Sequence, residues 1–182
     1  MSEKSPIKNI AAWEKAKKVR LLILDVDGVL TDGRIMIDDT GVESKSFNAK
    51  DGHGLRMLMR ANIQVALLSG RDSNATQRRA KELGISIVYQ NIHNKIEAYQ
   101  EIMNESALND HQVAYVGDDL VDLPILKRAG FAAVVADSVD EVKPFADYVT
   151  EKEGGRGAVR EVIELILKSQ GKWEEVTARY AQ

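Results

Sequence analysis

The chain has 182 residues, of which 44% are hydrophobic and 29% are charged, and its formal net charge is −3. This length fits a single domain with a sizeable buried core, and so weak a charge bias gives no reason to expect nucleic acid as a partner. The chain has no cysteine, which excludes a disulfide framework, a zinc–thiolate site and a cysteine nucleophile.

Two features of the sequence bear on localisation. Residues 1–20 carry charges throughout and contain no apolar core of the length that a signal peptide needs. No stretch approaches the ~18 consecutive apolar residues of a membrane span. We therefore predict a cytoplasmic globular protein with no membrane partner.

The first predicted strand covers residues 21–24, a continuous apolar run of the kind that is buried on both faces of a sheet. A β-hairpin is predicted directly after it, at about residues 33–47. Its two strands, residues 34–37 and 43–47, flank the turn-forming residues 38–41. This hairpin is an insertion in what is otherwise a regular alternation of strands and helices.

Beyond the hairpin, short apolar runs alternate with longer segments of helical period. The predicted strands cover residues 65–68, 85–88, 113–116 and 132–135. The predicted helices cover residues 73–83, 95–105, 120–129 and 158–168. This rhythm predicts an α/β fold, a Rossmann-like parallel sheet with helices on both faces. We predict one domain over residues 1–182, with a C-terminal tail at about residues 171–182.

Polar residues follow four of the predicted strands, where ligands bind in open parallel sheets. They are Asp25, Asp27, Ser69, Lys95, Asp118, Asp119 and Asp122. Each one alone is explained as a helix cap or a turn residue, but capping does not explain so many carboxylates at one sheet edge. Like charges repel at close range and raise each other's pKa, a conflict that a bound cation resolves. Oxygen ligands without a nearby Cys or His predict Mg²⁺ as the cofactor.

The spacing of these residues predicts phosphoryl-transfer chemistry. The Asp25 carboxylate is a competent nucleophile toward phosphorus and would form an aspartyl-phosphate. Asp27 would protonate the leaving alkoxide and then deprotonate the water that hydrolyses the intermediate. Lys95 and Mg²⁺ would neutralise the nucleophile and the phosphoryl oxygens, and the Ser69 hydroxyl would hydrogen-bond the phosphate.

The same residues resemble a known superfamily, the haloacid dehalogenase-like phosphatases. Residues 25–31 (DVDGVLT) resemble its first motif, and Ser69, Lys95 and residues 117–122 (GDDLVD) match the second, third and fourth in order. The fold that this resemblance implies is the HAD-like form of the predicted α/β sheet. Over roughly residues 19–171 the chain further resembles one capless family, the 3-deoxy-D-manno-octulosonate 8-phosphate phosphatases. The segments that carry this second resemblance are residues 27–33, 50–54, 68–71 and 154–161.

This resemblance implies a cytoplasmic homotetramer that hydrolyses an eight-carbon sugar-acid phosphate in the supply of the lipopolysaccharide inner core. The implied metal ligands are Asp25, Asp118 and the backbone carbonyl of Asp27. The implied substrate contacts are Asp27, Asn48, Ala49, Lys50, Asp51, Gly52, Arg56, Arg71, Arg79 and Lys95. A sugar-acid phosphate also has a carboxylate, and the forked guanidinium of Arg56, Arg71 or Arg79 suits that group.

The hairpin and the tail leave two further expectations. Ile35, Met36 and Ile37 find little partner surface in their own domain, so we expect the hairpins to pack between subunits, in a tetramer. The tail is predicted either as a mobile gate over a neighbour's site or as a helix packed on its own domain.

Two other functions fit parts of the pattern. The phosphate of a nine-carbon sugar acid suits the same core. A response-regulator receiver domain, which is a signalling module, also gathers carboxylates, a hydroxyl and a lysine at strand ends. A receiver, however, carries its acceptor aspartate after a later strand, is shorter, and has no hairpin at this point.

Overall fold

A six-stranded parallel sheet forms the centre of the computed structural model, which describes residues 9–181. Residues 1–8 and 182 of the predicted domain lie outside the described part. The strands of this sheet are β1 (Leu21–Leu24), β4 (Gln64–Leu68), β5 (Ile87–Tyr89), β6 (Val113–Gly117), β7 (Phe131–Val134) and β8 (Tyr148–Val149). Their order is β5-β4-β1-β6-β7-β8. The predicted α/β, Rossmann-like architecture is therefore confirmed.

Helices cover both faces of the sheet. They are α1 (Ile10–Ala16), α2 (Ala49–Arg60), α3 (Asn74–Leu83), α4 (Lys95–Ser106), α5 (Leu123–Leu126), α6 (Ala158–Ser169) and α7 (Trp173–Thr177). The side chains of β1 alternate between two cores, because Leu22 and Leu24 pack with α1, α2, α3, α6 and α7, whereas Leu21 and Ile23 pack with α4 and α5. Burial on both faces explains why this strand is apolar at every position.

One helix prediction needs correction, and two helices were not predicted. Residues 120–129 form a 3₁₀ turn at Leu120–Asp122 and then the short α5, which ends before Ala129. Helix α1 was not predicted, nor was α2, because glycines at 52 and 54 interrupt its helical period. As a result, the implied substrate residues Asn48 to Gly52 lie at the N-cap and in the first turn of α2. Asn48 caps α2 and accepts hydrogen bonds from the N–H groups of Lys50 and Asp51.

One predicted strand is displaced along the chain. Residues 85–88 were predicted, but β5 begins two residues later, because α3 ends at Gly84 in a left-handed conformation (φ 82°). The N–H of Ile85 then donates to the carbonyl of Ala80, which keeps Ile85 in the helix cap. The strand β8 was not predicted.

The insertion after β1 is a hairpin with shorter strands than predicted. Strands β2 (Met36–Ile37) and β3 (Glu43–Ser44) pair antiparallel. Asp38 stabilises the turn, since its carboxylate accepts hydrogen bonds from the N–H groups of Thr40 and Val42. The outer edge of the hairpin is apolar and exposed: Ile35, Met36, Ile37 and Val42 are each 46–60% exposed.

The C-terminal tail packs on its own domain. Val176 is buried and Trp173 packs against the larger core. The Tyr180 hydroxyl accepts a hydrogen bond from Arg60 and lies 2.8 Å from Nε2 of His53, both on α2. Within the single chain the tail is therefore a packed helix, and its predicted role as a gate over a neighbour's site stays a prediction. No helix within residues 9–181 is both long and apolar enough to cross a membrane.

Candidate active site

The carboxyl end of β1 holds Asp25 at the middle of the sheet, between the ends of β4 and β6. The N–H of Asp25 donates to the carbonyl of Val116, which continues the pairing of β1 with β6. The Asp25 carboxylate accepts a 2.7 Å hydrogen bond from the N–H of Val26. Asp25 is 6% exposed. The topology therefore places one buried carboxylate where a ligand above the sheet edge reaches it.

A tight loop follows Asp25 and is closed by Thr31. The N–H groups of Leu30 and Thr31 both donate to the carbonyl of Val26, and the Thr31 hydroxyl accepts from the N–H of Gly28. Gly28 has φ +92°, and a Cβ there would lie 2.0 Å from Oδ2 of Asp118. A glycine at this position therefore lets the carboxylate of Asp118 approach the nucleophile loop.

A second glycine segment supports the nucleophile loop from the far end of the chain. A Cβ on Gly154 would lie 1.7 Å from the carbonyl oxygen of Gly28. The N–H of Gly155 donates to the carbonyl of Val29 at 2.9 Å. This close packing of two backbones explains why residues 154 and 155 are glycines.

Lys95 lies between two buried carboxylates. Its Nζ is 3.0 Å from Asp25 and 2.7 Å from Asp122, and all three side chains are less than 10% exposed. Burial opposes the charged form of Lys95, but the charges of Asp25 and Asp122 outweigh burial and raise the pKa of Lys95. Lys95 is therefore a permanently charged cation beside the predicted nucleophile.

The carboxylate of Asp122 organises the floor of the site. One of its oxygens accepts hydrogen bonds from Lys95 and from the Tyr115 hydroxyl, the latter at 2.5 Å. The other oxygen accepts from the N–H groups of Asp118 and Asp119, at 2.9 and 3.3 Å. Asp119 caps the following turn, because its own side chain accepts from the N–H of Leu120. Capping thus accounts for Asp119 but not for Asp118 or Asp25.

The donor atoms at this edge fit a hard cation. Asp25, Asp118 and Asp122 each offer an oxygen, and these oxygens lie within 4.8 Å of one another. Oδ1 of Asp118 is buried and has no hydrogen-bond partner within the part of the chain that the structure describes. Asp122 is already saturated by four donors. The free coordination capacity therefore lies on Asp118 and Asp25, as the resemblance implies for Mg²⁺.

The raised pKa values of Asp25 and Asp118 also favour a bound cation. Burial, with the charge of Asp122, raises the pKa of Asp25 to about 6 although Lys95 opposes the shift. Burial, with the charges of Asp25 and Asp122, raises the pKa of Asp118 to about 8. Both groups are therefore costly to ionise in the protein alone. A divalent cation would remove that cost.

An open cleft of about 300 Å³ lies above this floor. It is lined by Asp25, Asp27, Gly70, Arg71, Ile92, His93, Lys95, Asp118, Asp119 and Val121. Ser69 is buried at the end of β4, where its hydroxyl donates to the carbonyl of Arg71 and accepts from the N–H of the same residue. Its predicted contact with phosphate stays a prediction.

Several predicted substrate residues lie outside this cleft. Asn48, Gly52 and Arg79 line a separate, small and largely apolar depression. A guanidinium nitrogen of Arg56 donates to the carbonyl of Glu82. Ala49 and Lys50 are exposed on the first turn of α2. Their roles toward a substrate stay predictions.

Asp51, another predicted substrate residue, is buried and lies at the start of α6. Its carboxylate accepts hydrogen bonds from the N–H groups of Gly157 and Arg160, at 3.2 and 2.7 Å. Asp51 therefore joins α2 to α6 and is not open to a ligand in this chain.

Four polar side chains at the site were not predicted. Tyr115 supports Asp122 from inside β6, and His93 lines the cleft. Lys45, just after β3, forms an ion pair with Asp27, and Glu43 accepts a 2.5 Å hydrogen bond from Arg71. The only signal for the hairpin residues is that Glu43 and Lys45 are two apart and so share one face of a strand.

Comparison with known proteins gives a consistent set of relatives. Residues 85–163 match a family described as haloacid dehalogenase-like hydrolase. The chain is 47% identical over 161 residues to the 3-deoxy-D-manno-octulosonate 8-phosphate phosphatase KdsC of Escherichia coli strain K12, which covers 88% of this chain and 86% of that protein.

Two solved structures are similar as well. The 3-deoxy-D-manno-octulosonate 8-phosphate phosphatase of Moraxella catarrhalis, in complex with a magnesium ion, a phosphate ion and KDO, superposes with a TM-score of 0.91 at 41% identity, covering 93% of this chain and 97% of that one. The cobalt-bound enzyme of Haemophilus influenzae gives a TM-score of 0.84 at 44% identity, covering 87% and 92%.

Proposed function

The chain belongs to the 3-deoxy-D-manno-octulosonate 8-phosphate phosphatases, a family of haloacid dehalogenase-like hydrolases, and we propose that it hydrolyses that sugar phosphate in a magnesium-dependent reaction. The observation that carries the proposal is the pairing of Asp25, which is buried, with Asp118, which is half-buried, two carboxyl groups with raised pKa values. One oxygen of Asp118 also has no hydrogen-bond donor in the described chain. Membership of this family excludes the receiver alternative.

The proposed metal site consists of Asp25, Asp118 and the backbone carbonyl of Asp27. Magnesium bound there would neutralise negative charge on the nucleophile and on the transferring phosphoryl group. The protein contributes a second cation, because Lys95 lies 3.0 Å from Asp25. Tyr115 and the backbone N–H groups of Asp118 and Asp119 donate hydrogen bonds to Asp122. Asp122 in turn accepts a hydrogen bond from Lys95 and so positions it.

The proposed reaction has two half-reactions at phosphorus. In the first, an oxygen of Asp25 attacks phosphorus, the bond from phosphorus to the sugar oxygen breaks, and Asp27 gives its proton to that oxygen. In the second, Asp27 takes a proton from water as the water oxygen attacks the aspartyl-phosphate. The Asp25–phosphorus bond then breaks, and inorganic phosphate leaves with both residues restored.

The substrate has a carboxylate besides its phosphate, and Arg71 is the residue that we propose for it. Arg71 lines the same cleft as Asp25, and its side chain is 42% exposed. Arg56 and Arg79 lie outside this cleft in the single chain, so we propose that they contribute to binding only in an assembled oligomer. A forked guanidinium binds a carboxylate through two parallel hydrogen bonds.

We propose further that the protein is a cytoplasmic homotetramer and that its product supplies the lipopolysaccharide inner core. The exposed apolar edge of the hairpin supports the oligomer, because Ile35, Met36 and Ile37 would leave water on packing against another subunit. The separation of Arg79 from the cleft supports a site completed by a neighbour.

The decisive experiment is steady-state kinetics with Mg²⁺ across a panel of sugar-acid phosphates. We expect the highest kcat/KM for 3-deoxy-D-manno-octulosonate 8-phosphate, with activity lost in a chelator. Uncharged sugar phosphates of similar size provide the control for the carboxylate. A higher kcat/KM for a nine-carbon sugar-acid phosphate would assign the alternative substrate, and no turnover of any phosphate ester would refute the proposal.

A further inference from the structure

The hairpin places a buried cation against the proposed general acid. The side chain of Lys45 is 2% exposed, and its ammonium forms an ion pair with the carboxylate of Asp27. The same ammonium lies 3.2 Å from Oε1 of Glu43. Oε2 of Glu43 accepts a 2.5 Å hydrogen bond from Arg71. Asp27, Lys45, Glu43 and Arg71 therefore form one continuous chain of alternating charges.

This arrangement is not that of an ordinary surface ion pair. A lysine in a short, exposed hairpin is free to extend into water, and exposed pairs contribute little to stability. Removing an ammonium from water costs free energy unless it is paired on several sides. Lys45 has two acidic partners, and both are themselves less than a quarter exposed. The hairpin therefore keeps the ammonium of Lys45 beside Asp27, although the ammonium loses most of its hydration there.

The orientation of Asp27 depends on this contact. Its side chain is 20% exposed, and no other hydrogen bond to its carboxylate is found in the described chain. A carboxylate with one partner rotates freely when that partner is lost, and a misplacement of about 1 Å in a reacting group costs roughly 100-fold in rate. Glu43 keeps Lys45 in place, and Arg71 keeps Glu43 in place.

We propose that Lys45 is a positioning residue that fixes the carboxylate of Asp27 for proton transfer at the leaving oxygen, with Glu43 as its support. This inference rests on the proposed function, in which Asp27 is the acid and base. It gives the hairpin a role in the reaction of its own subunit, separate from any role in assembly.

The test replaces Lys45 by Met, which keeps the length of the side chain and removes its charge. The matched control is Arg34→Met, which removes a charge from an exposed position of the same hairpin. We expect Lys45→Met to lower kcat for the sugar-acid phosphate by roughly 10- to 100-fold, with KM changed by less than about 3-fold. Lys45→Arg should restore most of the lost kcat, and Arg34→Met should leave kcat unchanged.

A double-mutant cycle separates positioning from a general loss of structure. If Lys45 acts through Asp27, Lys45→Met should have little effect in an Asp27→Asn background, where no proton transfer remains to be positioned. Melting temperatures identify any misfolded variant, and Lys45→Gln replaces Lys45→Met if the latter does not fold. An unchanged kcat in Lys45→Met, or the same loss of kcat in both backgrounds, would overturn the proposal.

The two proposals fail in different ways. If the wild-type enzyme turns over alkyl phosphates but no sugar-acid phosphate, the proposed substrate is wrong, while the cycle is still measured on the alkyl phosphate. If the sugar-acid phosphate is hydrolysed and the cycle is additive, only the role of Lys45 is refuted.

Discussion

The hydroxyl of Tyr115 donates a 2.5 Å hydrogen bond to the carboxylate of Asp122, and neither side chain is reached by solvent. Burial and the charge of Asp122 raise the pKa of Tyr115 well above its ordinary value, so the phenol remains a donor at every working pH. We predict that Tyr115→Phe lowers the free energy of unfolding by roughly 1.5–3 kcal/mol, because a buried charge loses one of its donors. Chemical denaturation with urea measures this.

The control for that variant is Tyr99→Phe. Tyr99 is also buried, but it donates at 2.8 Å to Asp110, whose side chain is 39% exposed, so water can replace the phenol. Its loss should cost less than that of Tyr115. Tyr115→Phe should also lower kcat, since Asp122 positions Lys95, whereas Tyr99→Phe should not. Equal effects of the two variants on stability and kcat would contradict this account.

The proposed nucleophile gives the largest predicted effect. Asp25→Asn keeps the shape of the side chain but removes its charge and nucleophilicity, so turnover should fall by orders of magnitude while the fold survives. Phosphate release measures turnover, and circular dichroism checks the fold. Asp39→Asn, at the exposed hairpin turn, is the matched control. Substantial turnover by Asp25→Asn would exclude covalent catalysis by this residue.

The stability of the metal-free protein should fall as pH rises from about 4 to about 8. The pKa values of Asp25, about 6, and Asp118, about 8, lie above the ordinary value of 3.8, so the folded state binds more protons than the unfolded state across this range. The stabilisation that these protons give is complete at low pH and is lost as the groups ionise. Melting temperatures in a chelator, measured across this pH range, follow the loss.

Two additions test this explanation of the pH dependence. Asp118→Asn should flatten the decline, because it removes the carboxyl group with the higher pKa. Mg²⁺ should raise the melting temperature more at pH 8 than at pH 5, since ionised carboxylates bind it and protons compete with it. A decline of equal slope in Asp118→Asn would show that other groups cause it.

Arg71 should distinguish substrates with a carboxylate from those without one. Arg71→Ala should raise KM for the sugar-acid phosphate by about 10- to 100-fold, the equivalent of roughly 1.5–3 kcal/mol for a charge-assisted pair. KM for an uncharged phosphate ester should change much less. Arg71→Lys should be intermediate, because it keeps the charge and loses the fork. Equal effects on both esters would place Arg71 on the phosphate.

The hairpin edge should control assembly. Ile37→Lys places a charge on an exposed apolar residue and should shift the proposed tetramer to smaller species without unfolding the subunit. Sedimentation velocity measures the species present. Asp39→Lys, in the turn of the same hairpin, adds a charge away from the apolar edge and serves as the control. A wild-type monomer at working concentration would refute the proposed oligomer.

The sequence predicted the residues whose positions follow from topology alone. Asp25 and Asp118 end two neighbouring strands, so a correct strand prediction is enough to bring them together. The same reasoning predicts that Lys95 lies at this edge, because Lys95 begins the helix that follows the third predicted strand of the sheet. In a parallel sheet the carboxyl ends of all strands lie at one edge. This remains true even where a predicted strand boundary is wrong by two residues.

The residues that were missed depend on tertiary contacts that no local pattern encodes. Lys45 reaches Asp27 only because the hairpin folds back over the nucleophile loop. Tyr115 lies in an apolar strand, so the sequence pattern indicates only a core residue, although its hydroxyl donates a hydrogen bond to Asp122. Helix α2 was not predicted because Gly52 has a low helical propensity, whereas in the structure this glycine packs closely against Arg79 and Leu83 of α3.

The contact between Gly154 and Gly28 has a consequence for biosynthesis. The loop that bears the nucleophile leaves the ribosome early, but the backbone that supports it is made only near the end of translation. A chain that stops short of residue 154 therefore contains every residue of the cleft and still lacks the support of its nucleophile loop. We therefore expect a product that is truncated before residue 154 to carry the motifs without ordered geometry at Asp25 and without activity.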